Sequence, residues 1–276
     1  MMNRRTFVAA GIATGMMQKL VPATTFAADD YITVTYPSGK LNIEAYIYQQ
    51  PGPGPFPLII FNHGSRSGKE RKSMPFKYMG DLYRAAGYAV LVPERRGYGT
   101  SDGETFSEAK AAKGPALVDR MELEADDVIA AADYAATLPY VDANRIGIAG
   151  YSLGGIATMF AIARSKAFKV ALDQAGGSLS WKGNPSLRTA MAKAAGMVKI
   201  PTMFMDSEND ATTDSVLTLA AAMKKAKQPH EIKIYPAFTP TKNPNHIPPG
   251  HLIFSAQGVD IWGQDAVNFF NRVLQA

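Results

Sequence analysis

The segment Gly150-Tyr151-Ser152-Leu153-Gly154-Gly155 holds a serine with glycine two places before and two places after it. An apolar run ends at Ala149 and helical spacing begins near Leu153, so the serine falls on a strand-to-helix turn. So sharp a turn strains the backbone at its apex. Side chains at 150 and 154 would strike the crossing chain, and glycine at both positions removes the collision. The helix that follows aims its N-terminal amides and dipole at the hydroxyl, where they would stabilise an oxyanion. A serine hydroxyl becomes a useful nucleophile only when a base takes its proton and a third group orients that base. The rest of the chain must therefore provide an imidazole and a carboxylate.

The chain has four histidines, His63, His230, His246 and His251. His251 follows Pro248-Pro249-Gly250 in a loop ahead of the terminal helix, and His246 competes from the same loop without a preceding glycine. His63, in Asn62-His63-Gly64-Ser65 after an early strand, reads as a structural residue that orients its loop. His230, beside Gln228-Pro229, reads as solvated. Three carboxylates, Asp206, Asp210 and Asp214, share one segment after a later strand, and each can be read as the acid or as a solvated loop residue. Asp214 can instead cap the next helix. The chain order is then an HG pair, serine, acid and histidine.

Composition removes several alternatives. With no cysteine, the 276-residue chain has no disulfide framework, thiolate nucleophile, iron–sulfur cluster or Cys-ligated zinc. The prolines between His246 and His251 forbid a helical metal pair, and no suitably spaced third ligand stands near, so neither metal nor cofactor is expected. Of 29 basic residues, Arg4, Arg5 and Lys19 lie in the first 27, which hold no acid; the remainder carries 26 basic against 24 acidic residues, or +2. A body so nearly neutral has no electrostatic footprint for nucleic acid.

The first residues read as an address. Asn3-Arg4-Arg5-Thr6-Phe7-Val8 precedes an apolar run to Met17, and Thr25 and Ala27 suit the −3 and −1 positions of a peptidase site. A run of about 11 residues is too short for a bilayer span of about 20. The paired arginines, mild apolarity and Lys19 resemble a twin-arginine leader. The expectation is a leader over 1–27, export to the periplasm or beyond, and membrane contact during export only. Residues 28–276 are then expected to form one catalytic domain.

The elements that must position these groups follow from periodicity. Tyr31 to Tyr36 and Ile43 to Tyr48 alternate around Pro37-Ser38-Gly39, predicting an antiparallel hairpin at the start. Leu58 to Phe61, Ala89 to Val92, Arg145 to Gly150, Val170 to Leu172, Thr202 to Met205 and Ile232 to Tyr235 are apolar runs of the kind buried on both faces of a parallel sheet. Helices are predicted over roughly 76–86, 122–137, 153–164, 213–226 and 260–274. In the second of these, Leu123, Val128, Ala131, Tyr134 and Ala135 share a face, with Glu122, Glu124, Asp126 and Asp127 turned to water. The fold class expected is α/β, three-layered and doubly wound, with a mostly parallel sheet.

With these motifs, residues 31–276 resemble the α/β-hydrolase superfamily, and within it the dienelactone-hydrolase-like and acyl-peptidase-like serine esterases. The likeness rests on Asn62 to Ser65, Glu94 to Ser101, Asp142 to Gly155, the Asp210 loop and Gly250-His251. Dienelactone hydrolases proper use a cysteine, so their lactone substrate is not inherited. The resemblance implies Ser152 as nucleophile, His251 as base, Asp210 as the acid, and the Ser65 and Leu153 amides as oxyanion donors. The family's acid loop reads glycine, two residues, aspartate; here Ser207 replaces the glycine, and the spacing still points to Asp210. The resemblance implies a small-molecule ester as substrate. A peptidase, an acyltransferase or perhydrolase, or a catalytically silent binding protein of the same fold are the alternatives; the absence of a large propeller ahead of this region favours small esters. Two connections have room to shape a pocket, Asp102 to Asp119 and Ser178 to Lys199, the latter carrying Trp181, Leu187, Met191 and Met197 either as a cap or as core positions. Arg66, Lys69, Arg71 and Lys72 read as a solvated basic loop rather than an anion site, and Arg95 and Arg96 as either substrate contacts or partners of acids.

Overall fold

Each run predicted above as a strand becomes one, and all lie in one sheet. The structure, a computed structural model, describes residues 31–111, 113–243 and 246–276; the expected leader lies outside them. In chain order the strands are β1 (Tyr31–Ser38), β2 (Leu41–Tyr48), β3 (Phe56–Asn62), β4 (Ala89–Glu94), β5 (Val141–Tyr151), β6 (Val170–Gln174), β7 (Thr202–Ser207) and β8 (His230–Tyr235). They lie in the order β1-β2-β4-β3-β5-β6-β7-β8. β1 pairs with β2 and β2 with β4 antiparallel, and all other neighbours are parallel. Leu58, Ile59, Ile60 and Phe61 of the central β3 are fully buried, as a strand covered on both faces requires.

The helices are α1 (Lys77–Ala85), α2 (Gly114–Ala135), α3 (Leu153–Arg164), α4 (Ser178–Trp181), α5 (Pro185–Met197), α6 (Asp214–Lys225) and α7 (Val259–Leu274), with a 3-10 turn at Pro249–Phe254. One core packs the sheet against α2, α3, α5 and α6 through residues such as Met121, Ile156, Leu187 and Leu219. The other packs it against α1 and α7 through Met79, Tyr83, Trp262 and Phe270. These are the three layers expected. No helix among the described residues is long and apolar enough to cross a membrane.

One open alternative closes here, and one expectation needs correction. Of the two readings of Ser178 to Lys199, Trp181, Leu187 and Met191 take the core positions, and Met197 is exposed. In α2, which begins two turns earlier than periodicity predicts, Glu124 and Asp127 are fully buried and Leu123 is exposed. The cause is charge pairing from another element. Glu124 accepts from Nε of Arg95 at 2.7 Å and Nε of Arg120 at 2.8 Å. Asp127 accepts from the Arg96 guanidinium at 2.8 and 2.9 Å, from the Arg96 backbone N–H at 2.9 Å and from the Ser38 hydroxyl at 2.7 Å. A carboxylate with its oxygens satisfied by guanidinium forks tolerates burial that a bare one does not.

Candidate active site

At the end of β5 the chain turns so tightly that Ser152 adopts φ 58° and ψ −118°, a conformation uncommon for a residue with a side chain. The turn closes because nothing projects from Gly150 or Gly154. A Cβ on Gly154 would run into the carbonyls of Asn62 and His63 at the end of β3, and one on Gly150 would run into the Gly154 carbonyl. The Ser152 backbone is anchored by its N–H donating to the Gln174 carbonyl at 2.9 Å.

The acid and histidine loops converge on this hydroxyl. His251 Nε2 is 2.9 Å from Ser152 Oγ, and His251 Nδ1 is 2.8 Å from Asp210 Oδ2. The imidazole and the Asp210 side chain are almost wholly buried. Their loops are joined through backbone: the Gly250 N–H donates to the Asn209 carbonyl at 3.2 Å. A Cβ at 250 would meet the Asp210 amide at 2.5 Å, so the glycine before the histidine is what allows the two loops to touch.

Two further groups brace the imidazole. The Tyr151 hydroxyl donates to the His251 carbonyl at 2.9 Å. Ser178, at the start of α4, donates from Oγ to Asp210 Oδ2 at 2.7 Å and lies 3.4 Å from His251 Nδ1. Sequence reasoning missed both. Tyr151 occupies a position the GxSxG pattern leaves free, and Ser178 reaches Asp210 only through tertiary structure.

The three candidate acids separate by environment. Burial pushes the Asp210 carboxyl up, but hydrogen bonds from His251, Ser178 and the Ala211 amide outweigh it and hold the group below the usual carboxylate range. Asp206, fully buried at the end of β7, is pushed up to about 9 by burial first and by the neighbouring Asp210 second. Asp214 lies exposed in the first turn of α6. Among the histidines, His246 is exposed, and His230 contacts the Gln228 carbonyl at 2.9 Å. His63 is buried, its Nδ1 2.7 Å from the Gly64 carbonyl, and burial followed by the Arg95 and Arg66 charges keeps it well below the ordinary histidine range.

Ser65 and Leu153 both border the space in front of Ser152. Leu153 opens α3, where the first amides have no partner within the helix, so its N–H is available to an oxyanion. The loop carrying Ser65 is tied down from behind. Arg95 donates to the His63 carbonyl at 2.9 Å while paired with Glu124, and Arg66 forms a two-pronged pair with Glu94. Arg66 is thus buried, against the expectation of a solvated basic loop, and Arg71 is spent on the carbonyls of Ser101 and Gly103, each at 2.7 Å. Lys69 and Lys72 do face solvent.

Two recesses meet at Ser152. A smaller one of about 170 Å³ is bordered by Phe106, Leu153, Gly177, Leu179 and Ser180. A larger one of about 430 Å³ contains His251 and is bordered by Lys69, Met74, Tyr151, Leu179 and Ile247. Among the described residues no carboxylate borders either of them. Among the described residues no cluster of three or more His, Asp or Glu has metal-binding geometry.

The prolyl oligopeptidase family (peptidase S9) matches residues 75–183. The quorum-quenching protein AidA of Acinetobacter baumannii is 28% identical over 124 residues, 45% of this chain and 36% of that one. The acylaminoacyl peptidase of Pyrococcus horikoshii superposes with a TM-score of 0.67 at 22% identity over 88% of this chain and 41% of that chain. A dienelactone hydrolase from Anabaena variabilis gives 0.61 at 20% identity, covering 88% and 98%. The chain therefore spans well under half of AidA and of the acylaminoacyl peptidase. Its fold is the α/β-hydrolase fold these proteins share, a serine-hydrolase-type architecture.

Proposed function

We propose that the protein is an exported serine hydrolase that cleaves carboxylic esters through an acyl-enzyme, with residues 28–276 as its catalytic domain. The observation that carries this reading is the unbroken hydrogen-bonded sequence from Ser152 Oγ through His251 to Asp210, with the serine held at positive φ on a turn. His251 Nε2 takes the Ser152 proton as Oγ bonds to the ester carbonyl carbon, and the carbonyl oxygen takes up negative charge against the Leu153 and Ser65 amides. Asp210, ionised by its three donors, fixes the imidazole tautomer and stabilises the imidazolium. The intermediate collapses, His251 passes the proton to the departing alcohol oxygen, and water repeats the sequence to release the acid.

Proton delivery also sorts the two recesses. The leaving oxygen must come within reach of His251 Nε2, so the larger recess, which contains His251, takes the alcohol. The smaller one, with the Leu153 amide at its edge, takes the acyl chain. About 170 Å³ is well below the roughly 300 Å³ at which drug-sized pockets begin, so short acyl groups are preferred. The peptidase S9 match favours a second reading, a peptidase. Against an aminopeptidase stands that, among the described residues, no carboxylate borders the recesses to receive a substrate ammonium.

The test is labelling with a fluorophosphonate, then assay of ethyl esters of rising acyl length beside aminoacyl anilides, with Ser152→Ala as control. Turnover is expected to peak at short acyl esters, with anilides inert. Labelling that persists in the alanine variant would remove Ser152 as nucleophile, and faster anilide than ester turnover would favour the peptidase. Export is tested separately: replacing Arg4 and Arg5 by lysine should leave the precursor in the cytoplasm, and unchanged export would reject the twin-arginine route.

A further inference from the structure

Asp206 is a buried carboxyl that the mechanism above does not use. Strand alternation in β7 sets it on the same face as Phe204, toward α3 and α6, four residues before the acid that meets His251. Its Oδ1 accepts the Ser207 N–H at 2.8 Å. Its Oδ2 is buried with no hydroxyl, amide or cation to donate to it, and its side chain lies within hydrogen-bond range of the Asp210 carboxyl.

Among the described residues no lysine or arginine faces the two carboxyls to offset ionisation of both. From β6 comes Asp173, fully buried and itself pushed up to about 7 by burial. From β5 comes the Tyr151 phenol, which burial above all keeps neutral. β8 presents Ile234 opposite Asp206, and its Lys233 pairs with Asp265 of α7 on the other layer. The first turn of α6 carries exposed Asp214, and the 3-10 turn brings His251, which is engaged with Asp210 and Ser152. Two adjacent carboxyls in such a setting cannot both be charged. Asp210 has three donors, from His251 at 2.8 Å, Ser178 at 2.7 Å and the Ala211 amide at 2.5 Å, whereas Asp206 has one. The negative charge resides on Asp210 and the proton on Asp206.

We propose that Asp206 acts as a neutral carboxylic acid that donates a hydrogen bond to Asp210 and so holds that carboxylate on His251. It is a positioning residue, and the inference rests on the Ser152, His251 and Asp210 roles proposed above. Its orphaned Oδ2 then has a use, since a protonated Oδ2 is a donor rather than an unsatisfied acceptor. Burial together with Asp210 places the loss of that proton at about pH 9. Above it two carboxylates face each other, Asp210 loses a donor, and turnover falls.

The experiment uses the mature enzyme with Asp206→Asn and Asp206→Ala, read by pH-stat on ethyl butyrate from pH 6 to 10.5. Asn keeps a donor toward Asp210 and an acceptor toward Ser207 but cannot ionise. It should retain kcat within about threefold at pH 7 and lose the alkaline decline near pH 9. Ala should lower kcat about tenfold with KM unchanged. If Asn and wild type decline together, or Ala behaves like Asn, the proposal fails. A second measurement needs no activity: the wild-type minus Asp206→Asn infrared difference spectrum should show the carbonyl stretch of a protonated carboxyl at pH 7 that disappears around pH 9. An ionised Asp206 at pH 7 would overturn the proposal even if no ester were turned over. Absence of all fluorophosphonate labelling alongside that band would instead sink the proposed function alone.

Discussion

The two walls of the cleft are built on opposite electrostatic plans. Behind the Ser65 loop the three fully buried acids each have a guanidinium: Glu94 has Arg66, Glu124 has Arg95 and Arg120, and Asp127 has Arg96. Behind His251, three carboxyls, Asp173, Asp206 and Asp210, have among the described residues no buried cation apart from the imidazole when it is protonated. The first wall pairs its charges and holds a loop in place. The second stores protons beside the group whose charge must change during turnover. Rigidity comes from pairing opposite charges and chemical responsiveness from leaving like groups unpaired.

That contrast can be broken by exchanging its terms. On the paired wall, Glu124→Ala leaves Arg95 buried without its partner, and the cost should be about 3–5 kcal/mol of unfolding free energy in urea titrations. A loss under about 1 kcal/mol would mean that the pair is not what holds the wall.

On the unpaired wall the expected effect is smaller and depends on pH. Asp173 is raised in the folded protein to about 7, chiefly by burial. Between about pH 4 and pH 7 the folded state keeps a proton that the unfolded state has released, so stability falls as pH rises through that window and levels off above it. Asp173→Asn should abolish this component, leaving wild type with an extra negative slope of at most about 1.4 kcal/mol per pH unit. Parallel stability curves for the two proteins would show that Asp173 ionises normally. The smallest effect sharpens the comparison at the site itself. Ser178→Ala removes one donor to a charged acceptor, so kcat should fall about tenfold with the urea midpoint nearly unchanged. An unaltered kcat would leave Ser178 a bystander.

The strands were legible because a doubly covered strand needs a continuous apolar run, and each of the eight carries a recognisable apolar pattern. The turn at Ser152 was legible because its demands on neighbouring residues are local. What could not be read were contacts that depend on distant partners. Glu124 and Asp127 follow the pattern of a solvated helix face, and nothing within α2 announces that Arg95 and Arg96 from the end of β4 will cover them. Helix α5 was obscured because its inner stripe, Leu187, Met191, Ala194 and Ala195, is half alanine and carries a weak periodic signal. At the site, Ser152, His251 and three possible acids were visible as residue types, with the spacing of the resemblance choosing Asp210. That Asp206 stands behind Asp210, and Ser178 beside it, depends on side-chain directions at the ends of β7 and α4 that no spacing records.

The backbone clasp between Gly250 and Asn209 carries one more consequence. It fastens the histidine turn directly onto the acid loop, and the Asn209 side chain adds a second tie, donating to the Phe238 carbonyl and accepting from the Phe238 N–H, each at 2.9 Å. Beyond that tie, among the described residues, the stretch from Thr239 to Asn243 makes no contact with either loop's functional groups and is a natural graft point. Its length and composition can be rewritten to reshape the mouth near Ile247 while the proton-handling groups keep their places.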